Sequence, residues 1–68
     1  MNEAMYIEAK KEIIKLQKEL DRNKARMIES INDNSFWHVA RVSTESSMLL
    51  GKIEVLRDMI QQYEYYNE

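Results

Sequence analysis

"SINDNSFWHVARVSTESS", residues 30–47, separates two halves of the chain that each carry a regular apolar rhythm. Its opening part, NDNS at 32–35, concentrates residue types that end one helix and begin another. Asparagine tolerates the left-handed backbone that closes helices where glycine is absent. Asp33 or Ser35 can offer a side-chain oxygen to the free N–H groups of a following helix. Nothing else interrupts the chain: its 68 residues contain no proline and one glycine, Gly51, so long helices are expected on both sides.

Upstream, apolar residues recur at alternating steps of three and four through Tyr6, Ala9, Ile13, Leu16, Leu20 and Met27, with Asn23 and Ser30 in the same register. This is the a/d seam of a heptad pattern. Downstream the same spacing runs through Val39, Val42, Ser46, Leu49, Ile53, Leu56, Ile60 and Tyr63. Met27 and Val39 lie twelve residues apart, a distance that is not a multiple of seven, so the seam breaks phase at NDNS.

Folding the chain between Asn34 and Ser35 sets Tyr6 level with Tyr63, Ala9 with Ile60, Ile13 with Leu56 and Leu16 with Ile53. Leu20 then meets Leu49, Asn23 meets Ser46, Met27 meets Val42 and Ser30 meets Val39; each pair of numbers sums to 69. Every pair places an a position opposite a d position, as antiparallel coiled coils require. The two polar residues Asn23 and Ser46 share a layer in which each can satisfy the other. The pattern predicts an all-α, coiled-coil-like antiparallel two-helix hairpin, one domain over 1–68, with helices near 3–31 and 36–66 and a turn at 32–35. Each arm would be about 45 Å long. Two continuous long helices crossing antiparallel share the same mirror centre and form the alternative.

The seam leaves apolar surface over. Ile7, Ile14, Ile28 and Ile31 flank it on the first helix, and Met48, Val55, Met59 and Tyr66 on the second. Such stripes are wider than a two-helix contact uses. A chain this short hides only about 60% of the surface exposed on unfolding. With no cysteine and one histidine, disulfides and a structural metal are closed routes, leaving self-association. A homodimer forming a four-helix bundle is the expected assembly, and a partner protein's helix the other way to cover the stripes. The charged start and the lack of any long apolar run point to a cytoplasmic protein with no membrane span.

No motif for catalysis, a cofactor or a metal emerges. His38 is the sole histidine; a zinc site wants three or four ligands, and although Ser35 and Thr44 lie near it in sequence, no oxyanion hole is indicated. The expectation is a protein that is not an enzyme. QKELD at 17–21 resembles the Ser-Gln-Glu-Leu-Asp motif of the small two-helix aspartyl-phosphate phosphatases of sporulating bacteria. It lies on the first helix and lacks the serine, so no function is carried over. STESS at 43–47 reads as the polar outer face of a continuous helix, since the heptad rhythm runs through it.

Two surfaces remain. Trp37 and His38 at the turn, with Tyr65 and Tyr66 at the open end, lie off the a/d register. Tryptophan and tyrosine are enriched at binding hot spots. Trp37 either seals the end of the core or anchors a partner. These four residues are the predicted partner-binding set of a small regulator or inhibitor of a larger protein, of the sort found among bacterial and phage accessory proteins.

The other surface is a ridge formed by Lys11, Lys15, Lys18 and Arg22 opposite the seam. Residues 10–26 hold seven bases and three acids, a local +4 in a chain of net charge −2, which leaves −6 elsewhere. Such a ridge can neutralise a few phosphates and makes a nucleic-acid-associated protein the second reading.

Overall fold

The computed structural model describes residues 1–67. It forms two helices, α1 (Glu3–Asn32) and α2 (Phe36–Tyr66), packed side by side as an antiparallel hairpin. The helices begin and end within one residue of the positions the sequence predicts.

The N-terminus of α1 is capped by Asn2, whose side-chain oxygen accepts the Met5 N–H at 2.8 Å, and Glu3 places a carboxylate in the first turn, favourable to the helix dipole. At the other end Asn34 takes φ 59°, the left-handed conformation. Two backbone bonds enclose it: Ser35 N–H donates to the Ser30 carbonyl at 2.8 Å, and Asn34 N–H to that of Ile31 at 3.1 Å. These are the paired contacts of a Schellman ending, with asparagine in the place glycine usually occupies. This motif carries α1 through Asn32 and turns the chain in three residues. Side-chain capping of α2 is not formed. Ser35 holds the cap position without a side-chain bond, and its carbonyl instead accepts the N–H groups of His38 and Val39.

The stacked rings of Tyr6 and Tyr63, 4.6 Å between centroids, fix the register at the open end. Burial follows the mirror. Ala9, Leu16, Asn23 and Ser30 are buried on α1 at strict intervals of seven, against Ser46, Ile53 and Ile60 on α2, with Val42 fully enclosed. The other seam residues, including Ile13, Leu20, Leu49 and Leu56, are only half-buried, because two helices alone cannot close both sides of a seam.

The layers differ in quality along the axis. The five nearest the open end, from Tyr6/Tyr63 to Leu20/Leu49, are apolar. The three nearest the turn contain Asn23/Ser46 and Ser30. Ser46 and Asn23 do not satisfy each other: the Ser46 hydroxyl donates back to the Val42 carbonyl at 2.8 Å, as serine in a helix interior commonly does. Asn23 sits at the base of a groove lined by Arg22, Arg26, Met48 and Lys52.

Gly51 faces outward, and a Cβ built there meets nothing within 4 Å. The glycine makes no close approach and costs helix stability without return. Gly51→Ala should therefore stabilise the protein by about 0.5–1 kcal/mol, raising Tm by roughly 2–8 °C in a domain of this size. Thermal melting followed by circular dichroism checks it, and an unchanged or lower Tm would show that Gly51 has a packing role in the assembled protein.

Candidate functional site

The four aromatic and histidine positions are held at opposite ends of α2. Trp37 and Tyr65 are four heptads apart, on the line of α2 that points directly away from α1. At about 1.5 Å per residue this separation is roughly 42 Å. The predicted set is therefore two clusters, not one site.

At the turn, Trp37 is 70% exposed and does not seal the core. Its indole meets the His38 imidazole edge to face with centroids 5.5 Å apart, and His38 is half-buried. Ile28, Ile31 and Phe36, all more than half exposed, extend the apolar surface at this end. At the open end Tyr65 and Tyr66 are 74% and 80% exposed and meet edge to face at 5.3 Å. Tyr66 also lines a shallow groove with Met1, Met59 and Gln62.

Between the tyrosine pair and the core lies a clasp that sequence reasoning did not single out. Tyr6 donates its hydroxyl to Glu64 Oε2 at 2.9 Å, while Lys10 Nζ donates to that same hydroxyl at 3.3 Å and lies 4.9 Å from the ring centroid. A cation over a tyrosine face is attracted by the ring quadrupole. The mirror pairing of Tyr6 with Tyr63 was the available signal, and the neighbours Lys10 and Glu64 follow from it by one turn and one residue.

Lys11, Lys15, Lys18 and Arg22 are all exposed, Lys11 and Lys18 on the outer line of α1 and Lys15 and Arg22 beside it toward the methionine-bearing side. Lys11 pairs with Glu8 at 3.7 Å, a solvated contact of small energetic weight. Arg22 turns toward the groove it shares with Glu19, Arg26, Glu45 and Lys52, where acids and bases alternate. Among the described residues, no three His, Cys, Asp or Glu side chains converge on a point that could hold a metal ion. No helix of the structure is long and apolar enough to cross a membrane.

The two apolar stripes lie on opposite faces of the hairpin. In an antiparallel pair, positions e and b of both helices share one side of the seam, and g and c share the other. Ile7, Ile14 and Ile28 occupy b and Ile31 occupies e. Met48 and Val55 occupy c, and Met59 and Tyr66 occupy g. The grooves agree: Ile14 lies with Lys10, Ile13, Arg57 and Glu64, whereas Val55 lies with Glu12, Leu16 and Lys52. The hairpin thus has an isoleucine face and a methionine face.

Compared with known protein families, characterised proteins and solved structures, the chain matches none at a significant level.

Proposed function

We propose that the chain is a non-enzymatic protein-interaction module, a small regulator or inhibitor that binds a larger protein and works as a homodimer forming a four-helix bundle. The observation that carries this reading is the exposure of Trp37, Tyr65 and Tyr66 on a rigid scaffold, at 70%, 74% and 80%. Large aromatic side chains contribute most to interface energy when desolvated by a partner. Here Trp37 and Tyr65 point away from the hairpin's own seam, and Tyr66 flanks it. Two unpartnered apolar faces add to the argument, since one suffices for a dimer.

The ridge of Lys11, Lys15, Lys18 and Arg22 supports the second reading, a nucleic-acid-associated protein, through its exposure. The acids interspersed around it and the net charge of −2 favour the first.

The test is affinity capture from host lysate with the tagged protein and two variants, Trp37→Ala and Tyr65→Ala/Tyr66→Ala, each with and without nuclease. A single protein enriched in both nuclease conditions, and lost with one aromatic variant, supports the interaction module and identifies the working end. Enrichment that disappears with nuclease, and with Lys11, Lys15, Lys18 and Arg22 changed to glutamate, transfers the function to the ridge. Identical recoveries from wild type and every variant would end both proposals.

A further inference from the structure

We infer that the isoleucine face is where a second copy of this chain docks, leaving the methionine face outward on the dimer. This rests on the homodimer reading above and adds to it the surface and the occupant.

The need for a second copy comes from the core. The hairpin buries five apolar residues, Ala9, Leu16, Val42, Ile53 and Ile60, and leaves its other apolar seam residues half-open. A core of that size leaves a chain of this length only marginally stable by itself. The hairpin measures 50 × 14 Å across a face, a footprint of roughly 700 Å² per copy, close to the ~800 Å² per partner of a standard stable interface.

The choice of face comes from its chemistry. Ile7, Ile14, Ile28 and Ile31 run nearly the whole length of α1, continued by Leu50 and Phe36 on α2, and all are at least 45% exposed. Between them lie half-buried seam residues, Ile13, Leu20 and Met27, which a docked copy would finish covering. β-branched side chains have few rotamers to lose on packing. The ionic groups on this face are Lys10, Lys24 and Arg57 against Glu3, Asp21, Glu54 and Glu64, a difference of one charge per copy, so two identical faces meet with little net repulsion.

The methionine face is a poorer self-docking surface. Its apolar residues stop near the middle of the hairpin at Met48. Its central grooves are crowded by Glu12, Glu19, Arg22, Arg26, Glu45 and Lys52, whereas interface centres are depleted of charge. Flexible methionines suit instead a surface that adapts to a different partner.

Two measurements on the full chain test this. The first is sedimentation of wild type, of Ile14→Lys/Ile28→Lys and of Met48→Lys/Val55→Lys over a dilution series. Wild type and the methionine-face variant should run at twice the 8.2 kDa chain mass, and the isoleucine-face variant at the single-chain mass. The second uses wild type alone: methyl resonances in the presence of a neutral gadolinium chelate. Ile7, Ile14 and Ile28 should be shielded, while Met48 and Met59 broaden.

Wild type running as a single chain throughout would overturn the homodimer reading and this inference with it. A wild-type dimer that only the methionine-face variant dissociates, or that neither variant dissociates, would overturn the choice of face and leave the homodimer standing. Should both variants lose association, shielded methionine methyls would reject the isoleucine face and shielded isoleucine methyls would uphold it.

Discussion

Ile53→Asp is expected to abolish the helical signal of the chain at 25 °C. Ile53 is 2% exposed and, with Val42, is one of the two largest side chains fully enclosed in the hairpin, in the layer it shares with buried Leu16. Truncating a buried isoleucine costs about 2–5 kcal/mol through lost transfer energy and the cavity left behind. Aspartate adds an unpaired buried charge, worth several kcal/mol more. Small single-core domains rarely hold more than about 3–5 kcal/mol in total, so the combined loss exceeds what there is to lose. Thr44 lies outside the seam on the exposed side of α2, where its hydroxyl bonds only to the Ala40 carbonyl of its own helix. Thr44→Asp should therefore leave the circular dichroism spectrum unchanged. Wild-type helicity and melting in Ile53→Asp would mean that the seam has been assigned to the wrong face.

The second large effect is a gain. Ala9 and Ile60 are both buried and occupy one layer of the mirror, so cysteines at these two positions should form a disulfide within a single chain. Closing a loop of roughly 50 residues removes unfolded-state freedom worth up to about 4 kcal/mol, enough to raise Tm by up to roughly 16–32 °C in a domain of this size. Non-reducing electrophoresis at low protein concentration reads the topology, and melting with and without reductant reads the gain. Cross-links found only between chains would sink the hairpin and favour two long helices crossing antiparallel. The phase break between Met27 and Val39 opposes that form. A continuous helix would turn its two seams to nearly opposite sides, and no single partner helix could cover both.

The parts of this fold that depend on period and pairing were legible in the sequence. Seven-residue spacing placed Ala9, Leu16, Asn23 and Ser30 on one line, and the common sum of 69 gave each its partner before any geometry was known. The turn was legible because NDNS gathers the residues that take the left-handed backbone cheaply, in a chain whose one glycine lies elsewhere; that Asn34 and not Asn32 does so was not.

What sequence could not give was the choice among equivalent polar partners. Ser46 had the Asn23 amide and the Val42 carbonyl within reach, and a carbonyl one turn back in the same helix needs no alignment between helices. Ser35 had the same freedom, and the tight turn satisfied α2 through its carbonyl and left its hydroxyl unused. The direction of Trp37 depended on whether α2 began in phase with the core. It did, so position 37 fell on the outer line. The separation of the isoleucine and methionine faces was available in the heptad letters alone, once positions e and b are assigned to one side of an antiparallel pair and g and c to the other. Of the candidate sites, exposure was readable from register, while the identity of a partner is not encoded in spacing at all.

The uneven quality of the layers also decides how this hairpin would respond to tension. Both chain ends emerge beside the Tyr6 and Tyr63 stack, at the head of the five apolar layers, and the polar layers of Asn23, Ser46 and Ser30 lie farthest from them. A load applied across the termini falls first on the strongest layers, one after another, in an unzipping geometry. Once Leu20 has parted from Leu49, two of the three layers that remain contain polar residues. The molecule would bear force up to a yield point and then give way in one step, a brittle element and not an elastic one.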